Sequence, residues 1–306
     1  MTDTIQFLHY NHINQTVDDL DTAAKHFTDV LGGQFLWETP PNPFTRACLV
    51  NLGGAVIELV QKRKPMGSQP ENGDYSFWYC PGTTGFLMDW DRVGPSFVGC
   101  EFLVGDLEKA LRSAREQGLR VFDQTEYNFF LTYADQCHGI AYEVTDVNWY
   151  QRPSPDYFVE EMHNASHWSD AHPLGILGYR FSVAVNSLTG VADFFARLCS
   201  STVQTKENRP DIAGQVLTLT MADIDVDFIA PTGNGPIRSY VDRYGEKIRA
   251  LIFRVRDVNA VRSYFADRNV ALVAGDVPGS VAILPDQNLG VLYQFEPERR
   301  SAAARA

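Results

Sequence analysis

Two carboxylates sit in places where carboxylates are costly. Glu58 lies within the apolar run AVIELV and Glu143 within IAYEV. A carboxylate buried in such a strand needs a metal ion, a cation or hydrogen-bond donors; otherwise it must reach the solvent rim at a strand end. Each is preceded by an amphipathic helical pattern, and Asp227 and Gln294 stand in two further copies of that arrangement. The intervals from Leu20 to Glu58, Leu107 to Glu143, Leu188 to Asp227 and Val258 to Gln294 all fall at 36–39 residues. Other chemistry-bearing residues lead less far. His163 and His167 are four apart, but the phrase is HNASH, without the glutamate of a zinc-protease helix. His138 follows Cys137 in a turn and has the wrong parity to share a strand face with Glu143. His9 has the opposite strand parity to His12 and is not expected beside it. Nucleophile-elbow, Walker and dinucleotide-binding sequences are absent.

The elements that must position these carboxylates come from the repeat. Its four openings are HINQTVDDLDTAAKHF, GCEFLVGDLEKALRSA, RFSVAVNSLTGVADFF and ALIFRVRDVNAVRSYF. Each reads as an apolar strand, a polar or acidic cap and a helix with apolar residues three and four apart. Strand-like runs then lead to the acidic or amide position. The pattern predicts four βαβββ units and an α+β fold with curled mixed sheets. One unit cannot bury a sheet alone, so the units should pair. Domains are expected over 1–150 and 176–300, with the Pro-, His- and Ser-rich stretch 151–175 as linker.

The arrangement, and the phrase HINQTVDDLDTAAKHFTDVLGG in particular, resembles the vicinal oxygen chelate superfamily of glyoxalases, bleomycin-resistance proteins and extradiol dioxygenases. That resemblance implies paired βαβββ units curled into a cup around one divalent metal. It also implies ligands from the first and last strands of each unit: His12 and Glu58 in the first, and Glu143 in the second. Gly99 stands where the second unit's other ligand would be. The third and fourth units offer Arg180, Asp227, Ala250 and Gln294, a poor set, so the metal is expected in the N-terminal half only. One imidazole and two carboxylates suit Mn²⁺, Fe²⁺, Zn²⁺, Co²⁺, Ni²⁺ or Mg²⁺.

Strand alternation puts Asn14 on the face of His12, where it is expected to bind substrate, and Glu101 on the face of Gly99. Glu101 is expected to act as a general base on an enolisable substrate chelated by the metal, or as a fourth ligand; a salt-bridge or rim position is its structural alternative. Aromatic residues crowd 75–94 and 127–133. Trp78, Tyr79, Phe130 and Tyr133 are expected to line a substrate pocket, or else to belong to the core.

The resulting expectation is a metal-dependent lyase or isomerase acting on a small oxygenated substrate, aromatic or not, by chelating its vicinal oxygens and stabilising an enolate. An Fe²⁺ ring-cleaving dioxygenase and a non-catalytic small-molecule binder are the alternatives. The formal charge of −12 argues against nucleic-acid and anionic-lipid partners. No apolar run is long enough to span a membrane, no secretion signal is visible, and five scattered cysteines fit reduced thiols, so a cytoplasmic location is expected. A homodimer is compatible with the pattern.

Overall fold

In the computed structural model the described residues are 3–39, 45–62, 93–148 and 172–298. They form two eight-stranded mixed sheets of the same design. In the first, β1 (Phe7–Val17) is followed by β2 (Gln34–Glu38), β3 (Thr45–Leu52), β4 (Ala55–Lys62), β5 (Phe97–Val104), β6 (Val121–Gln124), β7 (Phe129–Thr132) and β8 (Ala141–Asp146). Their spatial order is β2-β3-β4-β1-β5-β8-β7-β6. The second sheet contains β9 (Ile176–Ala184), β10 (Thr202–Arg209), β11 (Gly214–Met221), β12 (Ile224–Pro231), β13 (Lys247–Val255), β14 (Val273–Ala274), β15 (Val281–Ile283) and β16 (Leu292–Pro297), and repeats the order strand for strand. Each unit contributes four neighbouring strands, and the first strands of paired units lie side by side, antiparallel, at the sheet centre.

The helices are α1 (Leu20–Lys25), α2 (Leu107–Glu116), α3 (Val191–Cys199), α4 (Pro236–Tyr244) and α5 (Val258–Ala266). Asp19, Asp106 and Asp257 cap α1, α2 and α5 by accepting backbone N–H bonds, the role their position before each apolar run predicts. The third helix starts at Val191 rather than Leu188, because Gly190 holds a left-handed φ of 80° just before it. The short helix α4, opened by Pro236 and closed by Gly245, is an addition to the repeat.

One apolar cluster joins residues of both sheets with α1, α2, α3 and α5: Leu20, Leu111, Phe195 and Phe265 belong to it with Phe102, Tyr142, Phe228 and Tyr293. Ring pairs cross between the sheets, with Tyr10 6.1 Å from Phe181 and Phe97 6.1 Å from Tyr293. This is one face of each sheet. The other face of the first sheet carries a small separate cluster of Ala47, Val60, Val98, Leu131 and Ala141. By strand alternation that is the face of Glu58 and Glu143. Among the described residues, no helix is long and apolar enough to cross a membrane.

Candidate metal centre

Strand register brings the polar residues together. In the first unit β1 runs parallel to β4 with Asn14 opposite Glu58; in the second, β5 runs parallel to β8 with Glu101 opposite Glu143. Asn14 and Glu101 are therefore equivalent positions, and His12 and Gly99 are equivalent two residues earlier. At Gly99 an added Cβ would lie 2.4 Å from the Ala141 carbonyl oxygen. No side chain fits there without moving backbone, so the second unit has no side chain at the place of His12.

β1 carries one extra residue at the critical point. Tyr10 pairs with Phe102 and Ile13 with Cys100, so Asn11 and His12 together oppose the single residue Glu101. Such a bulge re-aims side chains. Both Asn11 and His12 turn toward Glu101: Asn11 Nδ2 donates to Glu101 Oε2, and His12 Nδ1 lies 2.9 Å from the same oxygen. The other imidazole nitrogen, Nε2, faces Glu58 at 3.6 Å and Asn14 Nδ2 at 3.1 Å. Asn14 Nδ2 also donates to Glu58 Oε2 at 2.7 Å. One donor atom from each of His12, Glu58 and Glu143 lies within 4.8 Å of the others, a grouping that could hold a metal ion.

His12 and Glu101 are buried, 4% and 1% exposed, and Glu58 and Glu143 are half-buried. Burial works against charge on His12, but the charge and hydrogen bond of Glu101, followed by Glu58, hold the imidazole well above its ordinary pKa. Burial works against ionised Glu101 too; the His12 charge, with hydrogen bonds from His12 and Asn11, nevertheless keeps it below the usual carboxylate range. Glu143 goes the other way. Burial first, then the nearby charges of Glu101 and Glu58, push its carboxyl well up. Without an ion both shifts favour the protonated forms of His12 and Glu143.

The residues fit a divalent cation. The donor set is one imidazole and two carboxylates, and Glu101 accepts from the imidazole nitrogen remote from Glu58, the arrangement that orients metal-bound histidines. Asn14 Oδ1 is buried with no partner among the described residues, an acceptor left over for a water or a substrate hydroxyl.

The expected pocket residues divide. Asn14 lies in the cluster. Leu131 is the register partner of Glu143, so Phe130, one residue earlier, points to the opposite face. It is fully buried in the core shared with the second sheet, and the expectation that it touches substrate is corrected on parity. Phe129, Leu131 and Phe122 hold the site face of that hairpin instead. Tyr133, just beyond β7, is 9% exposed with the Arg120 guanidinium 4.8 Å above its ring. Trp78 and Tyr79 lie outside the described residues, as do His163 and His167. His9 pairs with Asp223 at 3.2 Å, and His138 lies 3.7 Å from Glu246; neither joins the centre.

The second sheet places Ser182 opposite Asp227 and Ile252 opposite Gln294, the same register with different chemistry. Arg180 stands at the level of His12. Its guanidinium donates to Asp227 Oδ2 at 2.9 Å and clasps Glu296 through Nη1 and Nη2. Thr218 Oγ1 donates to Asp227 Oδ1 at 2.7 Å, and Arg209 lies 3.5 Å from Asp227 Oδ2. Gln294 is bound to Asp276, itself paired with Arg249. A guanidinium supplies the cation here, and nothing in the arrangement calls for a metal.

Comparison with known proteins agrees with this geometry. Residues 9–146 match the Glyoxalase/Bleomycin resistance protein/Dioxygenase superfamily. No curated protein sequence matches the chain. Among solved structures, a mutant of 4-hydroxymandelate synthase from Streptomyces coelicolor is similar with a TM-score of 0.67 and 16% identity, over 95% of this chain and 92% of that one. The 2,3-dioxygenase LapB from Pseudomonas sp. KL28 is similar at 0.56 and 11%, over 96% and 93%. The Mn(II)-bound glyoxalase from Novosphingobium aromaticivorans is similar at 0.54 and 9%, over 96% and 83%. At these identities the likeness is one of fold.

Proposed function

Residues 9–146 belong to the Glyoxalase/Bleomycin resistance protein/Dioxygenase superfamily, and from that membership we propose that this chain is a metal-dependent lyase or isomerase whose divalent ion is held by His12, Glu58 and Glu143. The observation that carries the reading is the convergence of those three donors within 4.8 Å on one sheet face. A divalent ion there would supply Lewis-acid polarisation of two neighbouring substrate oxygens. Asn14 positions Glu58 through its amide N–H and offers Oδ1 to a substrate hydroxyl. The apolar wall of Val60, Val98, Leu131 and Phe129 receives the carbon skeleton and excludes water. The single imidazole favours this chemistry over ring cleavage with O₂, since non-haem Fe(II) oxygenases are typically built on two histidines and one carboxylate. Oxygen uptake with catechols as substrates checks that preference, and none is expected.

Glu101, the expected general base, is already occupied. Its Oε2 accepts from both His12 and Asn11, so we assign it the positioning of His12, with Nδ1 protonated and Nε2 turned toward the ion. Glu101→Gln should then weaken metal binding by about 10–100-fold, read by competition with a chromophoric chelator. A variant that binds metal normally but has lost turnover would restore Glu101 to the role of base.

Proton competition gives a second expected result. With His12 and Glu143 both holding protons above their ordinary values, metal uptake must expel them, so affinity rises with pH and falls on acidification. Each proton released contributes about tenfold in affinity per pH unit. Calorimetric titration of Mn²⁺ or Zn²⁺ in buffers of different ionisation enthalpy counts these protons. The expected count lies between one and two, and zero would show that the donors are already free.

A further inference from the structure

A cavity of about 400 Å³, with no residue of the His12 cluster in its lining, opens where the first sheet meets the second. It is lined by Tyr10 of β1, Gly178 and Arg180 of β9, Asp223 and Asp225 around the turn into β12, and Arg254 of β13, among others. Its volume is that of a small-molecule site.

The charges around it are not all spoken for. Arg180 is saturated by Asp227 and Glu296. Asp223 accepts from the Tyr10 backbone N–H at 2.7 Å and faces His9. Arg254 is different. Among the described residues its guanidinium makes one hydrogen bond, from Nη2 to the Leu177 carbonyl oxygen at 3.3 Å, and no ion pair. Asp225 accepts from Thr220 Oγ1 and has no cationic partner. Arg254 and Asp225 therefore line one cavity without pairing with each other. Tyr10, which also lines the cavity, has a buried hydroxyl with no partner among the described residues. Gly178 keeps room for the guanidinium, since a Cβ there would lie 2.9 Å from Arg254 Nη2.

An exposed cation and an exposed anion that line one cavity without pairing complement a molecule carrying both charges. We propose that this junction binds a free α-amino acid, its carboxylate on Arg254 and its ammonium on Asp225, with the rings of Tyr10 and Tyr179 against its side chain. Arginine suits the first task because its planar fork takes a carboxylate through two parallel hydrogen bonds. The tyrosines contribute ring surface to the same wall. The proposal is independent of the metal-site reading, because no residue named for the ion takes part.

The test is isothermal titration of the full chain with each of the common amino acids. Leucine is compared with 4-methylpentanoate, which lacks the ammonium group, and 3-methylbutylamine, which lacks the carboxylate. Saturable binding of at least one amino acid is expected, with the matched acid and amine at least about tenfold weaker. Arg254→Gln and Asp225→Asn should each weaken it by a similar factor while leaving metal content unchanged. The proposal is overturned if no amino acid saturates at millimolar concentration, if the acid or the amine binds as well as the amino acid, or if both variants bind like the parent chain.

Discussion

His12→Ala is expected to empty the metal centre. The ion content of purified protein, measured by plasma mass spectrometry after loading and desalting, should fall from about one per chain to a small fraction, with affinity down by about 100-fold or more, since a ligand is lost and not just its support. The same change leaves Glu101, 1% exposed, without its cationic neighbour, so a stability loss of about 1–3 kcal/mol should accompany it. Glu58→Gln separates the two effects. It removes a donor but leaves the bonds from His12 and Asn11 to Glu101 in place. Loss of metal in both variants with loss of stability mainly in the first is the expected pair of results. Full metal occupancy in His12→Ala would remove this centre from the reading of the protein.

Asp227→Ala should produce the largest loss of stability among the substitutions considered. The Asp227 side chain is 1% exposed and ties together Arg180, Arg209 and Thr218. Deleting it removes one of two carboxylates from each buried guanidinium, Arg180 keeping Glu296 and Arg209 keeping Glu207, so the loss is expected near about 3 kcal/mol, the lower end for a broken buried pair. Urea unfolding at pH 7 measures it, and a shift below about 1 kcal/mol would contradict the account. Acid should reproduce part of the effect. Burial raises the Asp227 and Asp276 carboxyls, but Arg180 and Arg209 beside the first, and Arg249 beside the second, hold both below their ordinary value. The unfolded chain therefore binds these protons more readily. Their stabilisation is complete above the unfolded carboxylate pKa of about 3.9 and is lost as pH falls through the lower folded values. The urea midpoint should decline steadily below about pH 5.

The repeat was legible because its signals are local and occur four times. Asp19, Asp106 and Asp257 mark helix starts, and Glu58 and Glu143 interrupt apolar strands at nearly constant intervals. Strand register then turned those intervals into equivalent positions, including Gln294 and Asp227 in the second sheet. What aromatic density misassigned was Phe130: an aromatic close to the site residues in sequence faces the core because side chains alternate. Helix α4 carried a readable signal, Pro236 at its start and Gly245 at its end, but it lies outside the repeat. The partners of Glu101 were harder to foresee. In FLHYNHINQTV the polar residues His9 and Asn11 share one parity while His12 and Asn14 share the other. That phase jump marks the bulge, yet only pairing with β5 reveals which residue faces both sides of the jump.

That extra residue also bears on how interchangeable the two halves are. The second sheet repeats the irregularities that flank it, with Leu177 and Arg249 unpaired where Leu8 and Val98 are, but between them Arg180 pairs one-to-one with Ile252. Writing histidine at 180 and glutamate at 294 would therefore copy the letters of the candidate metal centre without its phase. The transplanted imidazole would lack a companion at the Asn11 place and a carboxylate behind it at 252. Converting the duplicate into a working twin would take an insertion within β9 as well as substitutions, a step that point mutation alone does not supply.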